Sequence, residues 1–143
     1  LSNRLSSTEF ATVISDFEQW AADSVRQGGA HLVKTLGDGL MFVGALDAVV
    51  RTALRLAAPG AAPGGLGLHA GVAYGAVLPR GGDYFGPTVN LAARLCGVAP
   101  DGAVIADSAV ASAWQAFGAA APAGRHTLKG IDRPTDVWAL GLA

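Results

Sequence analysis

Cysteine is nearly absent: Cys96 is the only one, which excludes an internal disulfide framework and a cysteine-based zinc cluster. Charge is also sparse. Only 15% of residues are Asp, Glu, Lys or Arg, the net charge is −1, and like charges form no blocks. A basic surface for nucleic acid or an anionic membrane is therefore excluded as the main interface. Long apolar runs are missing too, since stretches such as Val43 to Val50 are short and interrupted, so nothing here spans a bilayer. No signal peptide is visible, and a reducing, cytoplasmic compartment is the expectation. What is abundant is apolar residue: 51% of 143 residues, enough for one globular domain, residues 1–143, with a sizeable core.

Local signals order the elements. Ser6-Ser7-Thr8-Glu9 has capping-box spacing, with Ser6 as N-cap. Phe10, Val13, Ile14, Phe17, Ala21 and Val25 then repeat at helical spacing until Gly28-Gly29. His31 to Lys34 and Leu40 to Val43 read as strands joined by Gly37-Asp38-Gly39, a β-hairpin with an aspartate at its tip. Leu46, Val49, Val50, Ala53, Leu54 and Ala57 predict a second helix, stopped by Pro59-Gly60. Alternation predicts a strand over Leu66 to Tyr74, a loop or hairpin arm over Gly81 to Gly86, and a helix from Pro87 to about Gly97. Val104 to Ala106 reads as a strand, Asp107 or Ser108 as the cap of a short helix, and Arg125–Lys129 with Thr135–Leu140 as a final strand pair. Hairpins require antiparallel pairing, so the interleaved pattern predicts an α+β fold with helices on a mixed, mostly antiparallel sheet. The first helix arrives with no strand before it.

Three stretches hold polar residues that structure alone does not require. Asp38, flanked by glycine at a hairpin tip, lets a metal or phosphate approach the backbone, although Asp-Gly turns also serve conformation alone. Asn90 and Arg94, spaced i, i+4, project from one helical face, with Val89, Ala93 and Cys96 available for the core. That polar pair is either a solvated face or an amide and a guanidinium for a sugar and phosphate. Lys129, at a strand end before Gly130, is either a solvated lysine or a phosphate ligand. His69 reads as a core histidine, His31 and His126 lack partners at metal-ligand spacing, and Cys96 lacks a nearby acid and base.

Taken together these stretches resemble the class III adenylyl cyclases, especially the actinobacterial ones. The resemblance runs through Leu-Ser-Asn-Arg-Leu-Ser at the start, Lys34-Thr-Leu-Gly-Asp38, Gly82-Asp-Tyr-Phe-Gly-Pro-Thr-Val-Asn-Leu-Ala-Ala-Arg94, and Leu128-Lys-Gly-Ile131. It implies a ferredoxin-like cyclase fold whose first strand, carrying another metal aspartate, is missing from these residues. It implies that Asp38 helps to hold two Mg²⁺ or Mn²⁺ ions, which lower the pKa of the ribose 3′-hydroxyl. Lys34 and Asp83 would read adenine, Asn90 would orient the ribose, Arg94 would neutralise the α-phosphate, and Lys129 would bind the terminal phosphates of ATP. The base preference has a chemical reason: lysine only donates and ionised aspartate only accepts, which suits adenine N1 and N6 and opposes guanine. A head-to-tail homodimer with sites at its interface, and a fused regulatory segment elsewhere in the protein, are further implications. Without the first metal aspartate, these 143 residues alone are expected to be inactive. The rival is a degenerate cyclase domain that binds nucleotide or dimerises. Gly81-Gly82-Asp83-Tyr84-Phe85 also looks like the Gly-Gly-Asp-Glu-Phe motif of diguanylate cyclases, but Tyr84 replaces the second acid.

Overall fold

The computed structural model describes residues 7–36 and 39–142. Ser6, Asp38, the leading segment of the cyclase-like pattern and the side chain of Phe10 lie outside the described residues. The chain alternates helices and strands as its periodicities require. Helix α1 (Ser7–Gln27) leads into the hairpin β1 (His31–Leu36) and β2 (Gly39–Val43), then α2 (Leu46–Ala57). Strand β3 (Ala70–Val72) precedes a second hairpin, β4 (Leu78–Arg80) and β5 (Asp83–Phe85), which runs into α3 (Pro87–Val98). Then follow β6 (Val104–Ala106), α4 (Ser108–Trp114), β7 (Gly118–His126) and β8 (Thr135–Leu142).

Four strands form a mixed sheet in the order β3-β6-β8-β7, parallel between β3 and β6 and antiparallel elsewhere. The two hairpins are separate two-stranded sheets, and among the described residues β2 pairs only with β1 and β3 only with β6. This is the expected α+β architecture of a cyclase-like domain with a mostly antiparallel sheet.

Strand β6 explains the layering. Its three residues are all buried, because strand side chains alternate and both faces of the sheet are covered. Val104 and Ala106 enter a core shared with Val50 and Ala53 of α2, Val72, Val110 and Trp114 of α4, and Leu140. Ile105 points the other way, into a smaller core with Leu95 of α3, Leu128 and Val137. Helices α2 and α4 therefore cover one face and α3 the other. Trp114, fully buried, satisfies its indole N–H on the Gly141 carbonyl at 2.9 Å. On α1, Phe17, Ala21 and Val25 are fully buried, and Gly29 ends the helix at φ +80°. Asp107 is the N-cap of α4, accepting from Val110 N–H at 3.1 Å.

Three expectations need correction. The strand expected over Leu66 to Tyr74 shrinks to Ala70–Val72. Pro63–Gly65 forms a 3-10 turn, and Leu68 is tied by its carbonyl to Gly102 N–H rather than to a ladder. The penultimate strand begins at Gly118 and ends at His126, so Lys129 lies in the following turn, where Ile131 N–H bonds the Leu128 carbonyl at 3.1 Å. Pairing with β8, not intrinsic propensity, makes the Gly-Ala-Ala-Ala-Pro-Ala segment a strand. On α3 the deeply buried residue is Leu95, while Ala93 is exposed and Val89 and Cys96 are half-buried.

Candidate active site

Helix α3 starts where Gly86, at φ +127°, turns the chain out of β5 and Pro87 occupies the first turn. The arm then delivers Asp83 on one side of this turn and Asn90 and Arg94 on the other. Burial of Leu95 in the smaller core fixes the rotation of α3, which leaves Asn90 and Arg94 exposed. Leu128, 3% exposed in the same core, anchors the turn that presents Lys129.

Asn90, Arg94 and Lys129 line one cleft of ≈350 Å³ together with Pro87, Gly130 and Ile131. Arg94 and Lys129 take no part in the ion pairs among the described residues. Among the described residues, no carboxylate lines the cleft. Two free cations and an amide facing one space of this size suit a ligand that carries several phosphate oxygens.

Lys34 and Asp83, from β1 and β5, meet each other: Lys34 Nζ donates to Asp83 Oδ2 at 2.7 Å. The second oxygen of Asp83 accepts from Tyr84 N–H, also at 2.7 Å. The lysine bond first, and the Tyr84 amide second, hold the Asp83 carboxyl below its ordinary pKa, so it stays an acceptor. A donor and an acceptor are thus held side by side, and neither Lys34 nor Asp83 is fully buried.

Asp38 lies outside the described residues. Among those residues, no group of three or more His, Cys, Asp and Glu could hold a metal ion. His69, expected in the core, is exposed, with its Nδ1 3.6 Å from Cys96 Sγ. Burial raises the Cys96 thiol pKa, the reverse of what a nucleophile needs. Pro87 and Ile131 as cleft walls, and Tyr84 N–H as a clamp on Asp83, were not legible beforehand. The Asp-Tyr order could have signalled the clamp, because aspartate commonly bonds nearby backbone amides.

No family model matches the sequence. The chain is 37% identical over 142 residues to an uncharacterized protein of Mycobacterium tuberculosis (strain ATCC 25618 / H37Rv), covering 98% of this chain and 37% of that protein. It is 42% identical over 116 residues to an adenylate cyclase of Streptomyces griseus, covering 78% of this chain and 28% of the relative. The solved adenylate/guanylate cyclase/hydrolase of Silicibacter pomeroyi superposes with a TM-score of 0.72 at 27% identity, over 84% of this chain and 76% of that one. This chain belongs to the class III nucleotide cyclase family. The cyclase domain described here spans little more than a third of the length of the mycobacterial relative and less of the Streptomyces one. No helix among the described residues of this cyclase domain is long and apolar enough to cross a membrane.

Proposed function

We propose that the domain converts ATP to 3′,5′-cyclic AMP and pyrophosphate. The observation that carries this reading is the single cleft shared by Asn90, Arg94 and Lys129, which come from two separate segments of the chain. In the reaction the ribose 3′-oxygen attacks the α-phosphorus as its proton leaves. A new P–O bond forms, and the bond to the bridging oxygen breaks to release pyrophosphate. Charge grows on the phosphate oxygens in the transition state, so fixed cations that meet that charge lower the barrier. Arg94 serves the α-phosphate, Asn90 orients the ribose, and Lys129 neutralises the leaving pyrophosphate.

Adenine is read by the Lys34–Asp83 pair. Lysine has three N–H donors and spends one on Asp83, which leaves two, one of them for adenine N1; the carboxylate retains lone pairs for the N6 amino group. Guanine presents the opposite pattern to both groups.

The described residues do not supply a two-metal donor set. Mg²⁺ or Mn²⁺ is assigned to Asp38 on family resemblance, and no step is derived through it. The edges of β2 and β3 that stay unpaired among the described residues support the idea that a further strand, with a second metal carboxylate, completes the sheet. A head-to-tail homodimer, with the metal carboxylates of one copy facing the nucleotide-reading residues of its partner, completes the proposal.

The complete protein, supplied with ATP and Mn²⁺, is expected to form cyclic AMP. Arg94→Ala is expected to lower kcat by roughly 10²–10³-fold with little change in KM, as for other groups that act mainly in the transition state. ATP binding without turnover by the complete wild-type protein would instead make this a nucleotide-binding module.

A further inference from the structure

Helix α3 meets the sheet backbone to backbone at Gly71, and just beyond the sheet it meets Gly75 through the Thr88 side chain. A Cβ placed on Gly71 of β3 would fall 2.3 Å from the Ala92 carbonyl oxygen, 2.3 Å from Cys96 N and 2.9 Å from Cys96 Cα. A Cβ on Gly75, just beyond β3, would fall 2.5 Å from Thr88 Oγ1 but 3.6 Å from Thr88 Cβ and Cγ2. Neither glycine has a positive φ, so the neighbouring helix, not the backbone conformation, excludes a side chain. Thr88, Ala92 and Cys96 form one i, i+4, i+8 row along α3. Asn90 and Arg94 lie two residues on from this row, about 200° around the helix, on the side that lines the cleft.

We propose that Gly71 and Gly75 are positioning residues: together they form a seat that sets the depth of α3 and thereby holds Asn90 and Arg94 opposite Lys129. The inference rests on the cyclase reading of those three side chains. Lys129 sits in a turn closed by its own Ile131 N–H to Leu128 carbonyl bond, and Leu128, although it shares a core with Leu95 of α3, is also held there by the sheet residues Ile105 and Val137. A displaced α3 therefore changes its spacing to Lys129 instead of carrying Lys129 with it. Ordinary van der Waals contact begins at 3.4 Å, so a methyl group at position 71 lifts the helix by about 1 Å. Misplacement on that scale lowers turnover by ~10²-fold.

The test compares the complete wild-type protein with Gly71→Ala, Gly75→Ala, Thr88→Ala and the double variant Gly75→Ala/Thr88→Ala. Two quantities are measured: kcat and KM for ATP, and the rate at which iodoacetamide modifies half-buried Cys96, followed by mass spectrometry of its peptide. Gly71→Ala, which meets helix backbone, is expected to lose ~10²-fold in kcat, and Gly75→Ala a smaller but measurable factor, because rotation of the Thr88 hydroxyl relieves part of its clash. KM should change less than about threefold, because Lys34 and Asp83 lie outside α3. Cys96 modification should accelerate in both, most in Gly71→Ala.

Thr88→Ala alone should resemble wild type. In the double variant it should restore kcat, since the clash at position 75 is with the threonine hydroxyl alone. A general loss of stability would lower activity in proportion to the folded fraction and would not be relieved at that one position. Wild-type kcat and Cys96 reactivity in both glycine variants would overturn the proposal, and so would a double variant as slow as Gly75→Ala. Should Gly71→Ala not fold, the position-75 pair decides. Should the wild type make no cyclic AMP, the functional reading fails separately, and unchanged Cys96 rates in the glycine variants would refute the seat itself.

Discussion

Leu95→Ala removes the branched end of a side chain that is fully buried in a core of only four sealed residues: Leu95, Ile105, Leu128 and Val137. The loss has two parts. Three carbon groups leave an apolar environment at roughly 0.8 kcal/mol each, about 2.4 kcal/mol together. The hole adds to this, because the walls are a helix on one side and sheet residues on the other, and neither collapses fully. Measured Leu→Ala changes span about 2–5 kcal/mol, and a site whose partly buried neighbours are mostly alanines, with little side chain to refill the hole, belongs near the middle, at about 3 kcal/mol. For a domain of this size that is about 6–12 °C in Tm. The assay is chemical and thermal unfolding followed by circular dichroism, with a lower midpoint at unchanged m-value. Turnover of the folded fraction should also fall, since Leu95 sets the rotation of the helix that carries Asn90 and Arg94. A loss of less than about 1 kcal/mol would refute the reasoning, because no sealed leucine is deleted so cheaply.

Asp83 tests the pH behaviour of base choice. Its pKa is depressed below the ordinary 3.8 by Lys34 and by Tyr84 N–H, so the stabilising contact is fully present above about that value and is lost only as pH falls through the lower folded one. ATP-over-GTP preference, measured by product formation, should therefore persist down to about pH 5; a collapse of preference between about pH 6 and 5 would show that another group controls it. Asp107→Ala removes the α4 cap on Val110 N–H and should destabilise the domain by about 1 kcal/mol in a denaturation series. Burial raises the Asp107 pKa, so ionisation disfavours the folded state, and stability falls as pH rises through that pKa. Asp107→Asn keeps an acceptor, retains most of the stability, and should lose this pH dependence.

Much of the domain is set by interactions between residues close in the chain. The stop at Gly28-Gly29, the hairpin carrying Lys34, the start of α3 at Pro87 and the Asp107 cap follow from turn chemistry and periodicity, which need no distant partner. The i, i+4 spacing likewise puts Asn90 and Arg94 on one face whatever surrounds the helix. Tertiary structure decided the rest. Strand β7 exists because β8 offers it a ladder, and its run of alanines carries no strand signal of its own. Which side of α3 is buried depended on Ile105 of the sheet and Leu128 of the turn after β7, which selected Leu95 and left Ala93 in solvent. The convergence of Lys129 with α3 belongs to the same class. So does the contact of Gly71 and Gly75 with α3, since glycines at ordinary φ look locally replaceable. Local composition encodes hydrogen-bonding and φ preferences within a few residues; the closeness of two segments far apart in sequence is decided by sheet register and helix packing.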